Sequence, residues 1–133
     1  MGNFNENTRV QVPAALHLCK LGYQYLDEND IIVYDHKTNI LTDVFLRSVK
    51  RINPEVSSEE VSTLYSKVVN MADNADLGRE FYALLSANSG VKLVDFENPD
   101  NNEWHVTTEF TCHNDETDDE FRPDITCFVN GMP

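Results

Sequence analysis

EFRPDITCFVNGMP, residues 120–133, carries two signals that together decide the fold. Ile125 to Val129 is an apolar run that reads as a strand, and Asn130-Gly131 is the strongest short-range signal for a two-residue hairpin turn. A hairpin turn calls for a second strand that returns along the first, yet only Met132 and Pro133 follow. The run is apolar on both faces, which predicts a strand in the middle of a sheet. Pro123-Asp124 opens it. An acid at the start of a buried strand, beside a hairpin, can share an ion with acids on the returning strand. An aspartate that does no more than begin a strand fits the local sequence as well. The other Pro-Asp pair, Pro99-Asp100, sits in NPDNNE, where turn residues cluster, and reads as a turn former.

Upstream of this stretch the hydrophobic period is two. VKLVDF (91–96) is a strand candidate, and WHVTTEFTCH (104–113) alternates, with Trp104, Val106, Thr108, Phe110 and Cys112 on one face and His105, Thr107, Glu109, Thr111 and His113 on the other. NDETDDE (114–120) is an acidic loop without the glycine and the DxDxDG spacing of a calcium site, so it reads as solvated. Before Val91 the period is helical. TRVQVPAALHLCKLGYQYL (8–26) places Val12, Leu16 and Cys19 at helical spacing and stops at Gly22. Pro13 leaves two possibilities: a helix that begins there, or a longer helix from about Asn7 that is kinked. Thr42 is placed to cap a helix carrying Phe45, Val49 and Ile52. Ser57 and Glu60 match a capping box ahead of Val61, Leu64, Tyr65, Val68 and Met71. Asp76 is placed to cap a helix carrying Phe81, Leu84 and Leu85. Helices first and strands after predict a mixed α/β layer, with helices packed on a small mixed sheet. The strand from Asp124 is expected to be central and to neighbour the strand from Trp104.

At 133 residues the chain is read as a single domain spanning 1–133. No apolar run approaches the roughly 18–20 residues that span a bilayer, so no membrane partner is expected. The start, MGNFNENTR, has no secretory-signal pattern. Cys19, Cys112 and Cys127 form no CxxC pair and read as free thiols in a reducing cytosol. The net charge is −13. It is uneven: residues 95–133 hold eleven acids and one base, Arg122, against twelve acids and nine bases in 1–94. Such a surface repels a phosphate backbone. It belongs either to a non-catalytic acidic protein, such as a DNA mimic or a protein-interaction module, or to one module of a larger assembly whose bases lie elsewhere. His105 and His113 share a predicted strand face about 26 Å apart at strand rise, too far to hold one ion, and all four histidines read as solvent-facing. No GxSxG elbow or phosphate-cradling glycine loop is present.

GREFYALLSANSGVKLVDF (78–96), FRPDITCFVNGMP (121–133) and the opening NFNENTRVQVPAALHLCKLGYQYL (3–26) resemble the N-terminal region of the R subunit of type I restriction-modification enzymes. The resemblance implies a restriction-endonuclease-like domain of the PD-(D/E)xK type. Its first acid, a metal ligand and catalytic residue, falls on Asp124. The returning strand of the family carries Glu-x-Lys, a few residues beyond Pro133. A further acid on the opening helix is common in this nuclease class, and Glu6 is the nearest candidate. The implied cofactor is Mg2+, bound weakly or not at all by a piece with one of the acids, which would itself be inactive. ATP is implied only for a DNA-translocating motor elsewhere in the parent subunit. The implied partners are DNA, reached through the parent complex, and the methyltransferase and specificity subunits. A decayed nuclease domain kept for interaction within the same subunit is the blander alternative. The sheet edge left by a missing return strand is open to unwanted pairing, so a dimer over it is expected without biological meaning.

Overall fold

A computed structural model describes residues 10–31, 34–72, 78–86, 90–114 and 119–133. Among these the chain forms helices α1 (Val12–Lys20), α2 (Thr42–Ile52), α3 (Ser58–Ala72) and α4 (Arg79–Ser86). The strands are β1 (Gln24–Tyr25), β2 (Trp104–Thr108), β3 (Cys112–Asn114), β4 (Asp119–Phe121) and β5 (Ile125–Val129). The main sheet has the order β1-β2-β5, with β1 parallel to β2 and β5 antiparallel to it. A small antiparallel hairpin joins β3 to β4. The fold is mixed α/β, as its periodicities predict.

The Asn130-Gly131 turn forms. Asn130 (φ 51°) and Gly131 (φ 80°) both take the left-handed conformation that a tight hairpin turn requires. Val129 and Met132 exchange both backbone hydrogen bonds across it, each at 2.9 Å. Unlike most turns, this one is inside the protein. Gly131 accepts a hydrogen bond from the Leu41 N–H at 2.8 Å. A Cβ on Gly131 would lie 2.6 Å from the Leu41 carbonyl oxygen and 2.9 Å from the Phe45 nitrogen. The backbone therefore fits against the start of α2 only because the residue is glycine. Asn130 is fully buried and its amide joins three segments. Its Oδ1 accepts from the Glu103 N–H at 2.8 Å, and its Nδ2 donates to the Leu93 carbonyl at 2.8 Å and to Asn102 Oδ1 at 3.0 Å.

Met132 lands in the largest apolar cluster with Ile40, Phe45, Val49, Val61 and Val68. Phe45, Val49 and Val68 are completely buried, each worth roughly 1.5–3 kcal/mol relative to exposure. A second cluster, Leu41, Val44, Phe110, Cys112 and Phe128, lies where α2 meets β5 and the β2–β3 bend. Ser57 caps α3 as predicted, accepting the Glu60 N–H at 3.2 Å. The proposed Asp76 cap lies outside the described residues.

Several expectations are corrected. VKLVDF is a series of bends, because Asn53 brackets Lys92 from both sides and Asp95 folds the following turn around its carboxylate. Leu93 and Val94 are buried in the main cluster as loop residues. The middle strand among the described residues is β2, flanked by β1 and β5, so β5 neighbours the strand from Trp104 but is not central. WHVTTEFTCH is not one strand either: Glu109 (φ 53°) breaks it, and β3 leaves to pair with β4. Thr42 makes no cap; its hydroxyl meets Tyr65 at 3.2 Å instead. On α1, Val12 and Leu16 face outward, and the buried residues are Ala15 and, at the N-cap, Gln11. His105 is buried rather than solvent-facing.

Candidate active site

Asp124 stands at the start of β5, at the end of the strand opposite the buried turn, and its side chain is exposed. Its backbone oxygen accepts the Glu109 N–H at 3.2 Å, which extends the β2–β5 ladder one step beyond Thr108–Ile125. The bend at Glu109 ends the pairing there and leaves the carboxylate at the rim of the sheet. Glu109, Tyr25, Asp27, Thr108, Thr111 and Arg122 line an adjoining polar cleft of about 280 Å³. Arg122 donates through Nε to Thr111 Oγ1 at 3.1 Å, and the Tyr25 and Thr108 hydroxyls lie 3.3 Å apart.

The helix that meets Asp124 is α1. Gln11, only 4% exposed, donates through Nε2 to Asp124 Oδ1 at 3.1 Å. Backbone helicity continues upstream of Pro13: Gln11 is right-handed helical (φ −63°, ψ −50°), and Val10-Gln11 form a widened, π-type turn. Of the two possibilities for Pro13, the α-helix that begins there is the one observed: α1 starts at Val12 with Pro13 in its first turn, and Asn7 lies outside the described residues. A proline has no N–H for the preceding turn, which is one way such a turn widens. At the other end Gly22 (φ 111°) closes α1, with Tyr23 N–H on the Leu18 carbonyl and Gly22 N–H on Cys19, both at 3.1 Å. That stop turns the chain into β1 and fixes α1 beside the sheet. Glu6 lies outside the described residues. Gln11 was missed from the sequence, although a polar residue four positions before Ala15 and seven before the half-buried Leu18 marked that face.

Other titratable groups serve the fold. Glu103 accepts a bidentate pair from Arg47, at 2.8 to 3.1 Å, and the Ser48 hydroxyl at 2.7 Å. Burial works to raise its carboxyl, but the Arg47 and Ser48 hydrogen bonds and the Arg47 and Arg51 charges outweigh that and hold it below the usual range. His105 lies 4.0 Å from Glu103, with Nδ1 buried and unpartnered. Burial, only partly offset by Glu103, keeps its proton affinity below that of an ordinary histidine. His36 and His113 stack at 4.3 Å with planes 7° apart, and Tyr34 OH reaches His113 Nε2 at 3.1 Å. Parallel rings aim their in-plane lone pairs side by side rather than at one ion. Cys112 is buried and Cys127 exposed, and the three cysteines are free.

The opening helix, the Pro-Asp at the strand start and the Asn-Gly turn thus form one continuous arrangement. The sequence of residues 3–133 matches the family described as the type I restriction enzyme R protein N terminus. The chain belongs to that family. It is 31% identical over 151 aligned positions to the "Putative type I restriction enzyme MjaIXP endonuclease subunit" of Methanocaldococcus jannaschii. The alignment covers 97% of this chain and 14% of that relative. No solved structure matches.

Among the described residues no group of three or more His, Cys, Asp or Glu side chains is arranged to hold a metal ion. What Asp124 does offer is an exposed carboxylate, a hard oxygen donor. That suits Mg2+, which is typically held by one or two carboxylates with waters and substrate phosphate completing its shell. Among the described residues no helix is long and apolar enough to cross a membrane.

Proposed function

We propose that this chain is part of the DNA-cleaving endonuclease of a type I restriction R subunit, hydrolysing phosphodiester bonds with Mg2+. The observation that carries the reading is the exposed Asp124 carboxylate at the rim of the sheet, on a strand whose far end is locked in the core. Membership of the R-protein N-terminal family and the relative's description as an endonuclease subunit support the reaction class. Asp124 would hold the cation through a carboxylate oxygen, and Arg122 and the hydroxyls of the adjoining cleft lie where substrate would pass. The chemistry supplied at such a site is charge neutralisation on the scissile phosphate and a lower pKa for the attacking water. Among the described residues Asp124 offers one carboxylate, a weak cation site, and on that basis the 133-residue chain is expected to cleave DNA negligibly.

The charge also fits this reading. With eleven acids and one base, residues 95–133 oppose tight binding to DNA. DNA would be held by the remainder of the complex, the ATP-driven motor and the methyltransferase and specificity subunits, and delivered to Asp124. The test is nicking of plasmid DNA by the protein expressed from its complete reading frame, with Mg2+ and with a chelator. Cleavage that needs Mg2+ supports the reading. Cleavage unaffected by the chelator, or none in the assembled complex with ATP, contradicts it. Salt-sensitive binding of the 133-residue chain to another protein's DNA-binding groove would instead favour the acidic mimic.

A further inference from the structure

We propose that Gln11 is a positioning residue for Asp124, holding Oδ1 so that Oδ2 is the oxygen presented to a divalent cation. The inference rests on the magnesium reading of Asp124 and goes beyond it by assigning a role to a helix residue that is not itself an acid.

Three observations support it. Gln11 is 4% exposed while Asp124 is exposed, so the amide reaches outward from the packed side of α1 to a carboxylate at the rim. A buried amide needs hydrogen-bond partners, and its Nε2 finds one in a residue 113 positions away, at 3.1 Å. The contact joins the opening helix to the strand start, and the widened turn at Val10-Gln11 lies at that point of contact.

The choice of an amide has chemical consequences. A carboxylate 3 Å from Asp124 would repel it and favour a shared proton or ion. Glutamine carries no charge and donates, so it orients one oxygen without adding a second negative charge beside Asp124. Partners of this kind, which orient a metal ligand without binding the metal, typically alter affinity 10- to 100-fold when removed. Substituting Gln11→Glu would convert the arrangement into a two-acid site.

The experiment uses the full 133-residue chain, isotopically labelled, with Mn2+ as a paramagnetic probe. In the Asp124→Asn chain, at an exposed position, the Gln11 side-chain amide signal is expected to move. In wild type, Mn2+ should broaden the signals around Asp124. In Gln11→Met the concentration needed should rise about tenfold. In Gln11→Glu it should fall, and depend more steeply on pH because two carboxylates compete for a proton. If Mn2+ broadens Asp124 in wild type and in a folded Gln11→Met chain at the same concentration, the positioning role is wrong and the metal reading stands. If Mn2+ leaves Asp124 untouched in wild type, the metal reading fails and this inference fails with it. Should Gln11→Met not fold, Gln11→Asn, whose amide is one carbon too short to reach Asp124, takes its place: an unchanged Mn2+ concentration overturns the proposal, and a raised one upholds it.

Discussion

Asp124 and Asn130 flank the five residues of β5, whose two ends are built in opposite ways. At one end Asn130 is completely buried and its side chain makes three hydrogen bonds, while Gly131 is packed against the backbone of α2. At the other end Asp124 is exposed and meets Gln11 through one. An Asn-Gly turn is ordinarily a surface feature, and an aspartate beside a strand is ordinarily held by its neighbours. Here the turn is the anchor and the aspartate is the group left open to solvent. The difference shows where stability is placed along one strand and where an accessible carboxylate is left: the locked end fixes the register that carries the open end to the rim.

The contrast can be broken at the locked end first. Gly131→Ala adds a Cβ 2.6 Å from the Leu41 oxygen, at a left-handed φ. It should destabilise by about 3 kcal/mol or more, read as the shift in a urea unfolding midpoint. A loss under about 1 kcal/mol would mean that the turn is not packed as described. Asn130→Ala removes the partners of the Glu103 N–H and the Leu93 carbonyl and should cost roughly 2–3 kcal/mol in the same measurement. Asn130→Gly keeps the φ and loses the hydrogen bonds, so it separates the two contributions.

A smaller effect should appear with pH. His105 is held below its ordinary proton affinity by burial, so the unfolded chain takes up its proton first. Stability therefore falls as pH drops through the unfolded histidine value, about 6.5. The limiting slope for one proton is about 1.4 kcal/mol per pH unit. Glu103 acts in the same direction at lower pH: its carboxyl is depressed when folded, so its contribution is present above the unfolded value and is lost as pH falls through the folded one. Thermal melts between pH 7.5 and 5.5 should show the decline, and His105→Leu should flatten it. An unchanged slope in that variant would take His105 out of this role.

Much of this was legible in the sequence, though unevenly. The Asn-Gly turn, the strand before it, the Ser57 cap and the stop at Gly22 each rest on local chemistry, and each formed. What failed depended on tertiary partners. VKLVDF has a strand's composition, but Asn53 and Asp95 bind its backbone into bends. The inward face of the opening helix was misjudged because the most buried residue there is its N-cap, Gln11, a glutamine whose amide meets Asp124. Asp124 was singled out through its motif and the family resemblance, and the structure shows only that its carboxylate is exposed; local sequence could not separate it from an aspartate that only begins a strand. The burial of the turn left no local mark.

The smallest structural effect is expected at the open end. Asp124→Asn keeps an oxygen for the Gln11 amide and should change stability by no more than about 0.5 kcal/mol, as at other exposed sites. The decisive measurement pairs that with function: Mg2+-dependent DNA cleavage and the melting temperature of the same variant, in the protein expressed from its complete reading frame. Cleavage should be lost while the melting temperature stays within about 2 °C of wild type. Cleavage at the wild-type rate, or loss only through unfolding, would contradict the assignment of Asp124 as the chemical end of the strand.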